Sequence, residues 1–280
     1  MNELFKGVAA NDAKDLVNFI IMTLHEELNL VDKNKNIYIN NNFNLDQRNP
    51  QLMFNFFITS FIQKNKSIIS DLFYATNCNI TQCSNCGTQT FNYQTYFFLV
   101  FPLEEVRKFK YNNQFNNFNN FCNFNMNNNI NNNMVTIYDC FDYEKKINIL
   151  SGMSAIYCNY CKITCNGSIC SLLTTGPEIL ILLLNRGKGI QFDVKINFTE
   201  DLNLFNYIQY NNTGCLYKLI GVITHYGESG MGGHFIAYCR DPITFGWFKF
   251  NDSIVSKADN FQNEVINVGM PYLLFYQKIQ

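Results

Sequence analysis

Two groups of residues in this 280-residue chain have the types and spacing for chemistry. The first is His234 with Asn251 and Asp252. His234 opens the apolar run His-Phe-Ile-Ala-Tyr-Cys-Arg, and a loop holding Pro242 and Gly246 separates it from Trp247-Phe-Lys-Phe-Asn251-Asp252-Ser253. Two β-type runs around such a loop read as a hairpin. Antiparallel partners have residue numbers of constant sum, and a loop from Asp241 to Gly246 centred near Ile243 sets His234 opposite Asn251 or Asp252. Directly opposed residues lie about 4.5–5.5 Å apart at Cβ, so an imidazole meets a carboxamide or carboxylate. That is a base with its orienting group: the side-chain oxygen accepts the Nδ1 proton and leaves Nε2 free as base. The plainer alternative is a surface histidine at a hairpin end. Glycines at 227, 230, 232 and 233 precede His234 and would let a substrate backbone approach closely.

The second group is Cys83-Ser-Asn-Cys86 with Cys158-Asn-Tyr-Cys161. Four thiolates from two such knuckles make a closed tetrahedral site, the pattern of structural zinc. The interval from Cys86 to Cys158 exceeds that of an ordinary zinc ribbon, but loop-closure entropy grows only with the logarithm of length. Cys165 or Cys170 replacing one ligand, or a site without metal, are the alternatives. The total of eleven cysteines is odd, which suits reduced thiols and metal better than a disulfide framework.

The wider pattern Tyr217-x-Leu-x-x-Val-x-x-His225-x-Gly, Gly233-His234-Phe-x-Ala-Tyr and Trp247-Phe-x-Phe-Asn251-Asp252-Ser253-x-Val resembles the histidine box of the ubiquitin-specific proteases. These are papain-like cysteine enzymes that cut after the C-terminus of ubiquitin. The resemblance implies an α+β papain-like fold, thiol-dependent hydrolysis of the bond after ubiquitin's terminal glycine, and ubiquitin or ubiquitinated proteins as partners. It also implies a fingers subdomain with two Cys-x-x-Cys knuckles far apart in sequence. Carried over, His234 is the general base, Asn251 orients it, and Asp252 is the neighbouring acid that assists. His225 matches a histidine of the preceding loop and receives no proton-transfer role. Asn11-Asp12-Ala-Lys-Asp15-Leu resembles the family helix that opens Gln-Asp-Ala-x-Glu-Phe, with departures at Asn11, Asp15 and Leu16. The family's first-turn acids face the basic tail of ubiquitin, so Asp12, Asp15 and Gly233 are its candidate contacts. Asp12 and Asp15 are three apart and share a helix face; complementing the helix macrodipole is the equal alternative.

No cysteine here has the context of the family's N-terminal box, Gly-Asn-Thr-Cys-Tyr/Phe-Met-Asn on a turn into a helix. That turn supplies the thiolate nucleophile and an asparagine at the oxyanion. The expectation is a catalytic domain over 1–280 without its nucleophile. Thumb helices occupy 1–75, knuckle-bearing fingers 76–170 with an Asn-rich disordered insert at 111–134, and a palm with the histidine box 171–280. The competing reading is a catalytically inactive, ubiquitin-binding scaffold.

The elements that position these groups follow from periodicity and punctuation. Asn11 or Asp12 caps a helix whose apolar residues fall at 13, 16, 17, 20, 21, 24 and 28, ending near Asn29. Asn49-Pro50 starts a second helix. Ser67 to Tyr74 is a third, Cys78 to Gln82 a strand, and Thr90 to Phe101 another. Val135 to Lys145 reads as a short helix. Ile179 to Leu184 is a central buried strand, and the chain closes on a core strand from Pro271.

Composition excludes several classes. Hydrophobic residues make up 47% and charged residues 15%, which is a globular balance. Net charge is −1 without a Lys/Arg cluster, against a nucleic-acid-binding surface. The longest apolar run is too short to span a bilayer, and the first residues lack a signal-peptide pattern. A soluble protein of the cytoplasm or nucleus is the default.

Overall fold

The computed structural model describes residues 12–31, 46–118, 134–187, 193–210, 214–227 and 232–279. Its helices are α1 (Ala13–Leu28), α2 (Pro50–Ile62), α3 (Ile68–Phe73), α4 (Leu103–Phe118) and α5 (Ile137–Glu144). The strands run β1 (Ala75–Cys83), β2 (Gln89–Tyr96), β3 (Leu99–Pro102), β4 (Met134–Thr136), β5 (Asn148–Leu150), β6 (Ile156–Cys158), β7 (Ile163–Cys165) and β8 (Gly167–Leu173). They continue as β9 (Ile179–Asn185), β10 (Lys195–Asn197), β11 (Asp201–Asn203), β12 (Leu216–Tyr226), β13 (His234–Arg240), β14 (Trp247–Asn251), β15 (Ile254–Lys257) and β16 (Pro271–Lys278). Contacts divide the chain into two units. One comprises Met1–Phe97, Lys145–Glu178 and Phe205–Thr213; the other comprises Phe98–Glu144, Ile179–Leu204 and Gly214–Gln280.

The first unit holds the three N-terminal helices and an antiparallel sheet of order β2-β1-β8-β5. Asp12 caps α1 by accepting the Lys14 N–H, and Asn49 caps α2 by accepting that of Leu52. Ser67 and Ser70 close a capping box on α3, which satisfies two otherwise orphan N–H groups. The apolar stripe of α1 is turned inward only in part: Ile21 and His25 are buried, while Leu16, Ile20, Leu24 and Leu28 are exposed. The hold on its C-terminal end is polar. Asn29 donates to Lys64 O and accepts from Lys66 N–H, and Leu30 N–H donates to Lys66 O.

In the second unit the sheet order is β15-β14-β13-β12-β16-β9-β3, with β11 paired to β12 as an eighth strand. Within this sheet β3 and β9 pair in parallel and the other ladders are antiparallel, while β4 and β10 form a separate parallel pair. Leu180, Ile181, Leu182, Leu183 and Leu184 are all buried, each such side chain being worth about 1.5–3 kcal/mol. β9 is thus buried as expected, but it lies next to the sheet edge rather than at its centre. Arg186 follows it into the interior, where its guanidinium donates to the carbonyls of Pro271, Val194 and Gly269. Burial lowers its pKa to about 10.

Two expectations change. The strand foreseen from Thr90 to Phe101 is two strands, β2 in the first unit and β3 in the second. The described residues 98–118 and 134–144 group by contacts in the unit of the eight-stranded sheet. Phe101 meets Phe141 edge-on at 5.2 Å, and Phe109 meets Tyr143 at 5.7 Å. The Asn-rich segment is helical at its start: α4 runs through Phe118, launched after Pro102 with Glu104 and Glu105 in its first turn and a Glu104–Arg107 pair at 2.8 Å. First-turn acids and that i,i+3 pair stabilise the helix against the coil preference of asparagine. The rest of the insert, 119–133, lies outside the described residues. Among the described residues no helix is long and apolar enough to cross a membrane.

Candidate active site and metal centre

The hairpin of β13 and β14 carries the histidine site. Its loop is closed by Asp241 N–H donating to Gly246 O, and its first strand pair is Arg240 with Trp247, then Ala237 with Phe250. Extending that register puts Ile236 opposite Asn251. His234 is therefore the diagonal neighbour of Asn251, on the same face, rather than its direct partner. Diagonal neighbours lie about 7–8 Å apart, within reach of long side chains only. The imidazole bridges the gap with its far nitrogen: Nε2 is 2.6 Å from Asn251 Oδ1. A carboxamide oxygen only accepts, so Nε2 is the nitrogen that donates in this contact. The nitrogen that meets Asn251 is thus Nε2 rather than the expected Nδ1.

Asp252 Oδ2 lies 3.7 Å from the same Nε2. It occupies the first position of the two-residue turn between β14 and β15, with φ of 51°. Aspartate tolerates that left-handed geometry better than most residues. The His234 side chain is 45% exposed, so solvent reaches the pair.

Behind His234 the chain is packed from within. Gly233 has φ of 154°, and a Cβ there would lie 2.3 Å from Tyr226 O and 2.5 Å from the His225 ring. A side chain at Gly233 would collide with these atoms, whereas at Gly232 a Cβ would meet nothing within 4 Å. His225 also meets Phe235 edge-on at 4.8 Å. Gly230 lies outside the described residues. At the N-terminal helix, Asp12 is committed to the cap and to Lys14 Nζ at 3.2 Å, while Asp15 is exposed in the first turn. Asp12 is thus the cap residue, three positions before Asp15.

The four knuckle cysteines converge. The sulfurs of Cys83, Cys86, Cys158 and Cys161 all lie within 4.8 Å of one another, Cys83–Cys161 at 3.8 Å and Cys86–Cys158 at 3.7 Å. Four sulfurs bound about 2.3 Å from one tetrahedral zinc would lie about 3.8 Å apart, so the set fits such an ion. The knuckles share one backbone plan. Gly87 N–H donates to Cys83 O and Lys162 N–H to Cys158 O, with Gly87 at φ 71° and Lys162 at φ 58°. The Cys86 backbone N–H leads in lowering the Cys83 thiol to about 6, and the N–H of Cys161 leads in lowering that of Cys158. Burial pushes the thiols of Cys78, Cys140, Cys170, Cys215 and Cys239 up, away from reactive thiolate. Among the described residues no cysteine sulfur lies within hydrogen-bond distance of His234.

One cluster had no sequence signal. His25 Nδ1 is 2.7 Å from Ser67 Oγ, and Nε2 is 3.1 Å from Asn65 Oδ1. It has the composition of a hydroxyl–imidazole–amide triad, but Ser67 is 2% exposed and its oxygen caps α3. Its work is to fasten α1 to the 65–67 turn.

Comparison with known proteins agrees on the fold. The family model described as ubiquitin carboxyl-terminal hydrolase matches residues 1–276. Ubiquitin carboxyl-terminal hydrolase Usp2 of Drosophila melanogaster is 22% identical over 283 residues, covering 99% of this chain and 26% of the relative. Ubiquitin carboxyl-terminal hydrolase 2 of Bos taurus is 27% identical over 281 residues, 98% of this chain and 41% of the relative. The chain therefore spans less than half the length of these relatives. Among solved structures, a chain of the SAGA DUB module of Ubp8, Sgf11, Sus1 and Sgf73 superimposes with a TM-score of 0.62 at 22% identity, over 99% of this chain and 52% of that one. The same module bound to monoubiquitin gives 0.58 at 24%, over 82% and 47%.

Proposed function

We propose, from the premise that this chain belongs to the ubiquitin carboxyl-terminal hydrolase family, that it serves the thiol-dependent hydrolysis of the bond after ubiquitin's C-terminal glycine. His234 is the base, Asn251 holds its ring, and Asp252 stabilises the imidazolium. The observation that carries this reading is the 2.6 Å contact between His234 Nε2 and Asn251 Oδ1. It holds the ring through Nε2 and leaves Nδ1 as the nitrogen that would act as the general base. The reaction takes a cysteine thiolate as nucleophile, and this chain contributes the base and its support. Asp15 faces the basic tail of ubiquitin. Cys83, Cys86, Cys158 and Cys161 hold a structural zinc ion, which when bound would fix the two knuckles to one another.

The test uses protein captured from its source cells through a tag on this chain. Release of a fluorophore from the C-terminus of ubiquitin, lost on His234→Ala, is the expected result. Ubiquitin binding with no release by the wild-type protein would sink the hydrolytic reading and leave a binding module. Zinc content is read separately, by metal analysis of the purified chain.

A further inference from the structure

The metal centre has a fifth sulfur. Cys165 Sγ lies 3.2 Å from Cys83 Sγ, closer than Cys83–Cys161 or Cys86–Cys158 within the quartet. The strands explain why. Cys83 at the end of β1 pairs with Gly167 at the start of β8, and Ser84 N–H donates to Asn166 O. Gly167 has no side chain, and the place of its Cβ is taken by Ile156 Cδ1 at 2.7 Å and Gln82 O at 2.8 Å. The cross-strand position facing Cys83 therefore offers no side chain. Cys165, two residues before Gly167, brings its sulfur to Cys83 instead. Cys83 is buried, and Cys165 is half-buried at the end of β7.

We propose that Cys83 and Cys165 form an oxidisable pair, a modification site at which a peroxide closes a disulfide and removes Cys83 from the metal. The inference rests on the zinc reading for its consequence, but the pair itself rests on geometry alone. The chemistry balances with hydrogen peroxide as oxidant. The O–O bond breaks, one sulfur takes up a hydroxyl as sulfenic acid, and the other oxygen leaves as water with the thiol proton. The neighbouring sulfur then displaces the hydroxyl, which leaves as a second water, and the S–S bond forms. Each sulfur is oxidised by one electron and the peroxide is reduced by two. With its sulfur in a disulfide, Cys83 is no longer a thiolate, and a four-thiolate site keeps three ligands. Cys165 is not one of the four, so removing it leaves the metal in place and takes away the partner.

The experiment treats the zinc-loaded full chain with hydrogen peroxide. Released zinc is followed with 4-(2-pyridylazo)resorcinol, and cross-links are mapped by non-reducing peptide mass spectrometry. The wild type is expected to release its zinc together with a Cys83–Cys165 cross-link, reversed by dithiothreitol. Cys165→Ser is expected to bind zinc one to one and to release it about tenfold more slowly, because the resolving thiol is gone. Cys165→Ala, with far-UV circular dichroism, guards against a folding defect in the serine variant. Release from both variants at the wild-type rate, a cross-link between other cysteines, or loss of zinc binding on removing Cys165 would each overturn the proposal. A wild-type chain that binds no zinc yet forms the Cys83–Cys165 cross-link would refute the metal reading and keep the pair.

Discussion

The sulfur cluster and the histidine pair are assembled by different rules. Each half of the cluster is a local turn in which a backbone N–H closes on the first cysteine's carbonyl, and the two copies need only be brought together. The histidine pair has no such local plan. His234 and Asn251 are 17 residues apart, and their contact exists because one hairpin register holds. The cluster should therefore be robust to changes outside its turns. The pair should be sensitive to single steps of backbone geometry and nearly indifferent to metal.

The largest test of that contrast is to break the cluster. Structural zinc binding is worth on the order of 10 kcal/mol in small domains, so Cys158→Ser should abolish stoichiometric zinc binding and lower the melting temperature of the zinc-loaded protein. The His234 ring resonances should be unmoved by it, as nitrogen-15 spectra of the imidazole would show. Next in size, His234→Ala should cut ubiquitin-fluorophore turnover by roughly 10²–10⁴-fold, the usual contribution of a positioned base, while changing the unfolding free energy by less than about 0.5 kcal/mol at this half-exposed site. Gly233→Ala probes the backbone behind the pair. With Tyr226 O at 2.3 Å from the added carbon, it should cost about 2 kcal/mol or more in denaturant unfolding and weaken turnover as well.

Smaller effects sharpen the comparison within the cluster. Gly87 and Lys162 occupy the same left-handed position in the two knuckles. Gly87→Ala should destabilise by about 1 kcal/mol, and Lys162→Gly should cost nothing or stabilise slightly, since only glycine sits there without strain. Equal losses at both positions would show that the two turns are not equivalent. Beside the second knuckle, Asp46 is held at about 2 by hydrogen bonds from the Arg48 side chain and backbone, and Arg48 stacks on Tyr160. A carboxyl depressed in the folded state contributes stability above its unfolded pKa and loses it as pH falls through the folded value. Arg48→Gln should move the Asp46 carbon-13 titration upward toward the ordinary carboxylate range, with little change at neutral pH because the pair is exposed.

What the sequence disclosed follows the same divide. The Cys-x-x-Cys spacings and the cap at Asp12 were legible, as were the helix starts at Asn49-Pro50 and Ser67, because their hydrogen bonds span two or three residues. The atoms of the histidine pair were not. Locating the loop between Asp241 and Gly246 was enough to bring His234 near Asn251, but centring it on Ile243 missed that Asp241 and Gly246 form its closing bond, and half a residue in the centre is a full residue in the register. The parallel placement of β3 beside β9 and the His25–Ser67–Asn65 cluster depend on contacts between distant segments, which no local pattern carries. The exposed stripe of α1 is the converse case: its period identified a helix and misjudged how much of that face would be covered.

Trp247 is the only tryptophan in the chain. It stacks on Phe261 at 3.8 Å with the rings 7° from parallel, on the strand that ends in Asn251. The intrinsic emission of the protein therefore comes from a single indole four residues from the group that holds His234. A shift in its wavelength or lifetime would report movement of that hairpin without any label, and ubiquitin titrations could be followed optically because every other fluorophore in the chain is a tyrosine or phenylalanine.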